Sequence, residues 1–129
     1  MKQLLLCFLI IGLISCSKEK ASSLHGAWTI VETTAGTGSG FITQTYAAGS
    51  DITIHFAANG DFSVTGPNPG VSNSKLWEFN KYELLSDQTI KLYNATSGLQ
   101  TNVSFNMANG LEISYQYARC GMLEKFIRN

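Results

Sequence analysis

The alternation of apolar and polar residues is the feature that most constrains how this chain can fold. From residue 27 onward, apolar side chains recur with a period of two, most clearly in segments 52–56, 103–107 and 111–117. After the first sixteen residues, no stretch of ten keeps the helical period of about 3.6. Because successive side chains of a strand point to opposite faces, this pattern predicts an all-β domain.

Turn signals divide the alternating runs into short strands. Asn59-Gly60 and Asn109-Gly110 each stand between two such runs, and this dipeptide favours hairpins because both central residues can adopt positive φ. The glycine-rich segment 33–40 and the segment 66–74, which holds both prolines, are predicted to be loops. The other predicted strands are residues 27–32, 41–47, 75–80, 88–94 and 122–128, with a turn at 86–87.

Eight or nine strands joined in sequence favour a closed sheet. An open antiparallel sheet of that length would leave two edges and one apolar face in water. The sequence therefore predicts an antiparallel up-and-down β-barrel of eight to nine strands, in which the last strand pairs with the first. A sandwich of two sheets is the alternative, and 129 residues leave no room for a second domain in either arrangement.

The beginning of the chain has the form of an export signal. Lys2 precedes eleven almost wholly apolar residues, 4–14, which as a helix would rise about 16 Å, roughly half of a bilayer core. This length is typical of a signal peptide rather than of a membrane span. The run ends in Leu-Ile-Ser-Cys at 13–16, which resembles the lipobox of bacterial lipoproteins.

The lipobox resemblance implies a processed, lipidated protein. Residues 1–15 would be removed as the signal peptide, Cys16 would carry the acyl chains, residues 16–23 would form a tether and residues 24–129 the barrel domain. Three acyl chains would make the membrane a firm partner, since each buried CH₂ contributes about 0.8 kcal/mol. Ser17, which is not an aspartate, implies sorting to the outer membrane of the bacterial cell envelope.

One cysteine would remain unmodified in the mature chain. Cys7 would leave with the signal peptide, so Cys120 has no partner for an internal disulfide. We expect it to be a small buried apolar residue, with a reactive thiol as the alternative.

A second resemblance concerns the barrel itself. Gly26-Ala27-Trp28 at the start of the first strand, followed by a meander with Asn-Gly hairpins, resembles the short lipocalin-like domains of bacterial lipoproteins. The resemblance implies that Gly26 and Trp28 close one end of the barrel and that an arginine covers the indole. Pairing of the first and last strands makes Arg128 the candidate, at a distance below about 6 Å. A solvated terminal arginine is the alternative.

No pattern in the chain points to catalysis or to a metal. His25 and His55 lie in different elements without further ligands nearby, and no nucleophile elbow, phosphate-binding loop or zinc motif occurs. Charged residues make up 14% of the chain, too few for a dense nucleic-acid groove. We therefore expect neither an enzyme nor a cofactor, and no nucleic-acid partner.

The barrel interior is the predicted functional region. The residues expected to form its wall are Ile54, Phe56, Phe62, Trp77, Phe79, Leu92, Phe105, Ile113 and Tyr115. If they enclose a cavity, it should take a small apolar or amphipathic ligand, since no inward charge is evident. Alternatively, the large side chains fill the barrel, and segments 33–40 and 66–74 contact a protein or glycan of the envelope.

Overall fold

A computed structural model describes residues 23–47, 50–67, 75–117 and 120–129. The signal segment 1–15, Cys16 and the greater part of segment 66–74 lie outside these residues, as does the side chain of Cys120. No helix in the described ranges is long and apolar enough to cross a membrane. The elements are β1 (Gly26–Thr37), β2 (Gly40–Thr45), β3 (Thr53–Phe56), β4 (Phe62–Thr65), the 3-10 helix η1 (Leu76–Glu78), β5 (Lys81–Leu84), β6 (Thr89–Tyr93), β7 (Gln100–Asn106), β8 (Leu111–Tyr117) and β9 (Cys120–Arg128).

The strands form one antiparallel sheet in the order β4-β3-β1-β9-β8-β7-β6-β5, with β2 also paired to β1. β2 and β3 follow each other along the same side of β1, so the two short strands together occupy one position of the barrel. The predicted pairing of the first and last strands is confirmed, with Trp28 opposite Arg128 and Ala35 opposite Met122. The fold is thus an up-and-down, nearly closed barrel of eight positions.

The barrel closes along a short seam between β4 and β5. The Phe62 N–H donates to Asn80 O at 3.0 Å, and the Tyr82 N–H donates to Gly60 O at 2.9 Å. Between these two bonds, the side chain of Lys81 forms an ion pair with Asp61. Because these contacts involve only the beginnings of both strands, the rest of β4 and β5 is not joined by backbone hydrogen bonds.

Segment 33–40 is not the predicted loop. β1 continues to Thr37 and β2 begins at Gly40, so the segment is the end of a long hairpin. The glycines suggested a loop, but Thr33 and Thr34 are β-branched and suit a strand. Thr34 also has a cross-strand partner, Thr43, whose hydroxyl lies 3.0 Å from its own.

The predicted strand at 75–80 is also wrong. Residues Leu76–Glu78 form a 3-10 turn, in which the Glu78 N–H donates to Lys75 O at 3.0 Å. The Lys75 ammonium lies 2.7 Å from the Glu78 carboxylate, a contact that suits one helical turn. Apolar residues at 76, 77 and 79 fit such a turn as well as a strand, because short apolar runs have no decisive period.

The Asn-Gly hairpin between β3 and β4 is confirmed, but its turn differs in detail. The Gly60 N–H donates to Ala57 O at 3.1 Å, so the tight turn begins at Ala57. Asn59 and Gly60 therefore occupy its third and fourth positions rather than the two central ones. This is the longer hairpin loop, which ends in a left-handed glycine.

A bulge in β1 changes which residues face the interior. The pairing of β1 with β9 shifts between Ile30 and Glu32, which leaves Val31 as an extra residue. Before the shift Trp28 and Ile30 are buried, and after it Thr33 is buried. Alternation therefore continues inside the barrel one residue later than an unbroken strand would place it.

Candidate functional site

Gly26, Trp28 and Arg128, which the resemblance implies close one end of the barrel, lie in contact. We call this end the floor. Arg128 Cζ lies 4.5 Å from the centre of the Trp28 ring, inside the expected 6 Å. The Trp28 indole N–H donates to Leu24 O at 2.9 Å, and the Arg128 guanidinium donates to Ser23 O. Gly26 has φ +120 and Arg128 Nη1 lies 4.0 Å from where its Cβ would be, so the chain enters close under the guanidinium.

Eight of the nine predicted wall residues are buried in one continuous hydrophobic cluster. The exception is Trp77, which is partly buried against that cluster from helix η1 and donates its indole N–H to Gly66 O at 3.4 Å. The ring of Phe56 lies 5.0 Å from those of both Phe62 and Tyr82. These three rings fill the part of the interior beside the seam.

Polar side chains line the opposite part of the interior. Gln44 of β2 lies opposite Thr33 of β1, and Thr33 lies opposite Glu124 of β9. We call these three residues the interior polar row. Glu124 has 0% and Thr33 2% of its surface exposed, so the expectation of no inward charge is wrong. The physical reason is that Glu124 shares its face of β9 with Met122 and Phe126, which both point into the core.

Tyrosines surround the interior polar row. The Tyr115 hydroxyl donates to Glu124 Oε2 at 3.3 Å and accepts a hydrogen bond from the Lys75 N–H at 3.3 Å. The Tyr46 hydroxyl lies 3.5 Å from that of Thr33. A buried carboxylate is tolerated only when hydrogen bonds replace its hydration, and Tyr115 supplies one of them.

Gln44 offers further capacity for a hydrogen bond. Its Oε1 atom is buried and has no hydrogen-bond partner within the described part of the chain. Buried amide oxygens are normally satisfied by protein, water or ligand. The row therefore combines a carboxylate, a hydroxyl and an amide oxygen, which can receive hydrogen-bond donors from a molecule lying on the apolar wall.

Among the described residues, the ion pairs Lys75–Glu78, Lys81–Asp61, Lys91–Glu83 and Lys125–Glu32 join partly exposed side chains. The hydrogen bond from Lys81, and then that from Asn59, lowers the pKa of Asp61, and the same ion pair raises the pKa of Lys81. Hydrogen bonds to Glu83 and Glu32 likewise raise the pKa of Lys91 and of Lys125. Exposed pairs of this kind contribute little to stability.

The histidines do not meet a cluster of possible ligands. His55 is exposed on β3, as its alternation with buried neighbours predicts, and His25 is half-buried just before β1. Across residues 23–47, 50–67, 75–117 and 120–129, no three His, Cys, Asp or Glu side chains are grouped as metal ligands.

Comparisons with known proteins leave the family open. No protein-family model, no curated protein and no solved structure matches this chain. The strand order supports a nearly closed antiparallel barrel. The lipocalin-like and lipoprotein interpretations remain predictions from the sequence.

Proposed function

We propose that the mature protein is a lipid-anchored barrel of the bacterial cell envelope that binds one small amphipathic molecule in its interior. The interior polar row carries this proposal. Glu124 is fully buried beside the apolar wall, where a carboxylate costs free energy that an apolar residue would not. Buried ionisable groups beside an apolar wall are typical of binding sites rather than of structural cores.

The ligand's chemistry follows from the two parts of the interior. Its apolar body would lie against wall residues such as Leu92, Phe105 and Ile113, which are buried in the hydrophobic cluster. Its polar end would reach Glu124 and Tyr115. Because a carboxylate only accepts hydrogen bonds, we expect that end to be an ammonium, amide or hydroxyl group rather than an acid.

Binding of a labelled alkylamine tests the interior site. Residues 17–129, produced without lipid, would be titrated with a long-chain primary amine that carries a dansyl group at the other end of its chain, and with the fatty acid of the same length and label. We expect saturable binding of one amine per chain and weaker binding of the acid. Loss of a charged hydrogen bond in Glu124→Gln should weaken amine binding about 10- to 100-fold.

Two further variants make that test specific. Glu83→Gln removes a carboxylate from the exposed face of β5 and should leave binding unchanged. Phe105→Trp adds volume to the wall and should block both probes. Absence of saturable binding, or equal binding by wild type, Glu124→Gln and Phe105→Trp, would refute an interior site.

The membrane anchor belongs to the same proposal and has its own test. The lipobox-like residues 13–16 support acylation of Cys16 and anchoring in the outer membrane. Replacing Cys16 with Ala should leave an unlipidated precursor that incorporates no labelled palmitate. Normal acylation of that variant would overturn the anchor.

A second candidate function is a filled barrel that acts through its outer surface. The contacts among Phe56, Phe62 and Tyr82 favour it, because rings with centres 5.0 Å apart leave no space between them. In that case the interior is purely structural, and an envelope protein or glycan meets the exposed strands and loops.

A further inference from the structure

The outer face of the sheet carries a row of hydroxyl side chains. Register places residues from six strands side by side, and all but one are serine or threonine. In order from β6 across to β2, this hydroxyl row consists of Thr89, Ser104, Ser114, Leu123, Thr34 and Thr43. Adjacent strands lie about 4.8 Å apart, so the part from Ser104 to Thr34 is about 14 Å long.

A depression runs beside this row because glycine replaces a side chain. On the outer face of β9, the neighbour of Leu123 two residues earlier in the chain is Gly121, where an added Cβ would have nothing within 4 Å. In β1 the corresponding position is Gly36, which lies opposite Phe41 of β2. Gly121 lies in the wall of a groove of about 490 Å³, whose lining also includes Asn102 and Phe41.

The groove continues across the sheet. A second depression of about 360 Å³ shares Ser104, Ser114 and Leu123 with the first and extends to Asn106 and Glu112. Together they form a trough on the outer face, and Tyr115 and Met122, whose side chains are buried in the core, also contribute to the wall of the first groove. The hydroxyl side chains of the trough point outward, on the opposite face of the sheet from the interior polar row.

The 490 Å³ groove combines an exposed ring with neutral polar groups. The Phe41 side chain is 79% exposed, which is unusual for a large apolar residue and is typical of a contact surface. None of the described side chains that line the 490 Å³ groove is charged. Phosphate-rich and other anionic ligands need arginine or lysine, which this lining does not supply.

We propose that this outer groove binds a neutral oligosaccharide. Hydroxyl and amide side chains both donate and accept hydrogen bonds, as sugar hydroxyls require. The apolar C–H face of a sugar ring would stack on Phe41, while Asn102 and the serines bond its hydroxyls. Strand faces of small barrels recognise oligosaccharides in this general way.

The position of the groove suits an anchored protein. The chain enters the barrel at the floor beside Ser23 and Arg128. Phe41 lies opposite Gly36, which is ten residues after Gly26, the first residue of β1. Ten strand residues span about 33 Å. A molecule tethered at its N-terminus would therefore present the Phe41 end away from the membrane surface.

Binding to immobilised neutral oligosaccharides tests the proposal. The mature chain would be applied to β-glucan, α-mannan and chitin oligomers, with heparin and an uncharged extended peptide on the same surface. We expect saturable binding to at least one neutral sugar and none to heparin or peptide. Binding to none of the neutral sugars, or binding to heparin or peptide alone, would overturn the proposal.

Two variants locate the binding in the groove. Phe41→Ala removes the exposed ring, and Gly121→Val fills the depression with a residue that suits a strand. Each should weaken sugar binding about tenfold or more. Ile42→Ala, on the opposite face of β2, should bind like wild type, and equal binding by all three variants would refute the site.

The controls separate folding and the interior site from this result. Thermal melting of each variant reports its fold, and if Gly121→Val melts early, Phe41→Ala alone decides, since its side chain touches mainly solvent. Glu124→Gln should keep full sugar binding. Failure of the interior site and failure of the groove are thus observed in different variants.

Discussion

The seam between β4 and β5 gives the strongest test of barrel closure. Two backbone hydrogen bonds and one ion pair join these strands, so side-chain packing behind them must supply most of the cohesion. Phe62 is 2% exposed and lies directly behind the seam, with its ring 5.0 Å from that of Phe56. Replacing Phe62 with Ala should therefore weaken the closure.

The expected loss can be estimated from the burial. Truncating a buried phenylalanine to alanine costs about 3–5 kcal/mol, because apolar contact is lost and a cavity remains. A domain of this size has a total stability of about 5–15 kcal/mol. Since about 1 kcal/mol shifts the melting temperature of a domain of roughly 100 residues by about 4–8 °C, Phe62→Ala should melt about 12–40 °C lower.

Urea and thermal unfolding, followed by tryptophan fluorescence, would measure this loss. Phe41→Ala is the matched control, because the same substitution at a side chain 79% exposed should change stability by no more than about 0.5 kcal/mol. Hydrogen exchange adds a local readout, since the Phe62 and Tyr82 amides donate across the seam and should exchange faster in a variant that still folds. If Phe62→Ala is as stable as Phe41→Ala, the packed seam is refuted.

Three further changes test backbone and electrostatic details. Burial raises the pKa of Tyr82, so wild type should lose stability as pH rises above about 10, and Tyr82→Phe should flatten this alkaline branch in urea titrations. Gly110 has φ +109, and a Cβ there would lie 2.6 Å from a carbonyl oxygen of β9. Gly98 has φ +75, and a Cβ there would have nothing within 4 Å. In thermal melts, Gly110→Ala should therefore lower the free energy of unfolding by about 1–3 kcal/mol more than Gly98→Ala. The hydrogen bond from Lys81 lowers the pKa of Asp61, so this pair stabilises the fold above about pH 4 and the stabilisation is lost as the carboxyl protonates. Asp61→Asn should remove that part of the loss of stability in acid. If the stability of wild type and of Asp61→Asn falls equally with decreasing pH, the pairing is contradicted.

Much of the barrel could be predicted from the sequence because its strands are short and their alternation is regular. Leu111–Tyr117 reads as a strand from its own pattern, and the structure gives the same bounds. Pairing of the first and last strands followed from the cost of open edges, without any direct signal in the residues. Local periodicity and edge closure together were sufficient for this part of the fold.

The errors arose where local signals were ambiguous. The glycines of segment 33–40 suggested a loop, although the two threonines and their cross-strand partners favour a hairpin. Residues 76–79 carry too few positions to separate a helical turn from a strand. In both places tertiary contacts decided between conformations that the residues alone allow.

The buried carboxylate could have been found in part. Residues 122, 124 and 126 alternate, so a reader who took Met122 and Phe126 as core would also place Glu124 inside. Thr33 could not be assigned in this way, because its inward position depends on a bulge that leaves no sequence signal. In the candidate interior site, the inward position of Glu124 could thus be predicted from the sequence pattern, whereas that of Thr33 required the strand register.

The extra residue in β1 determines the chemistry of both surfaces of the barrel. In an unbroken strand the inward face of Trp28 and Ile30 would continue to Glu32, which would add a second carboxylate to the interior. Instead Glu32 points outward, 2.8 Å from Lys125, and Thr33 turns inward to lie opposite Glu124. The same shift brings the next threonine of β1 onto the outer face, where it joins the hydroxyl row. Both candidate sites thus depend on one irregularity of the backbone.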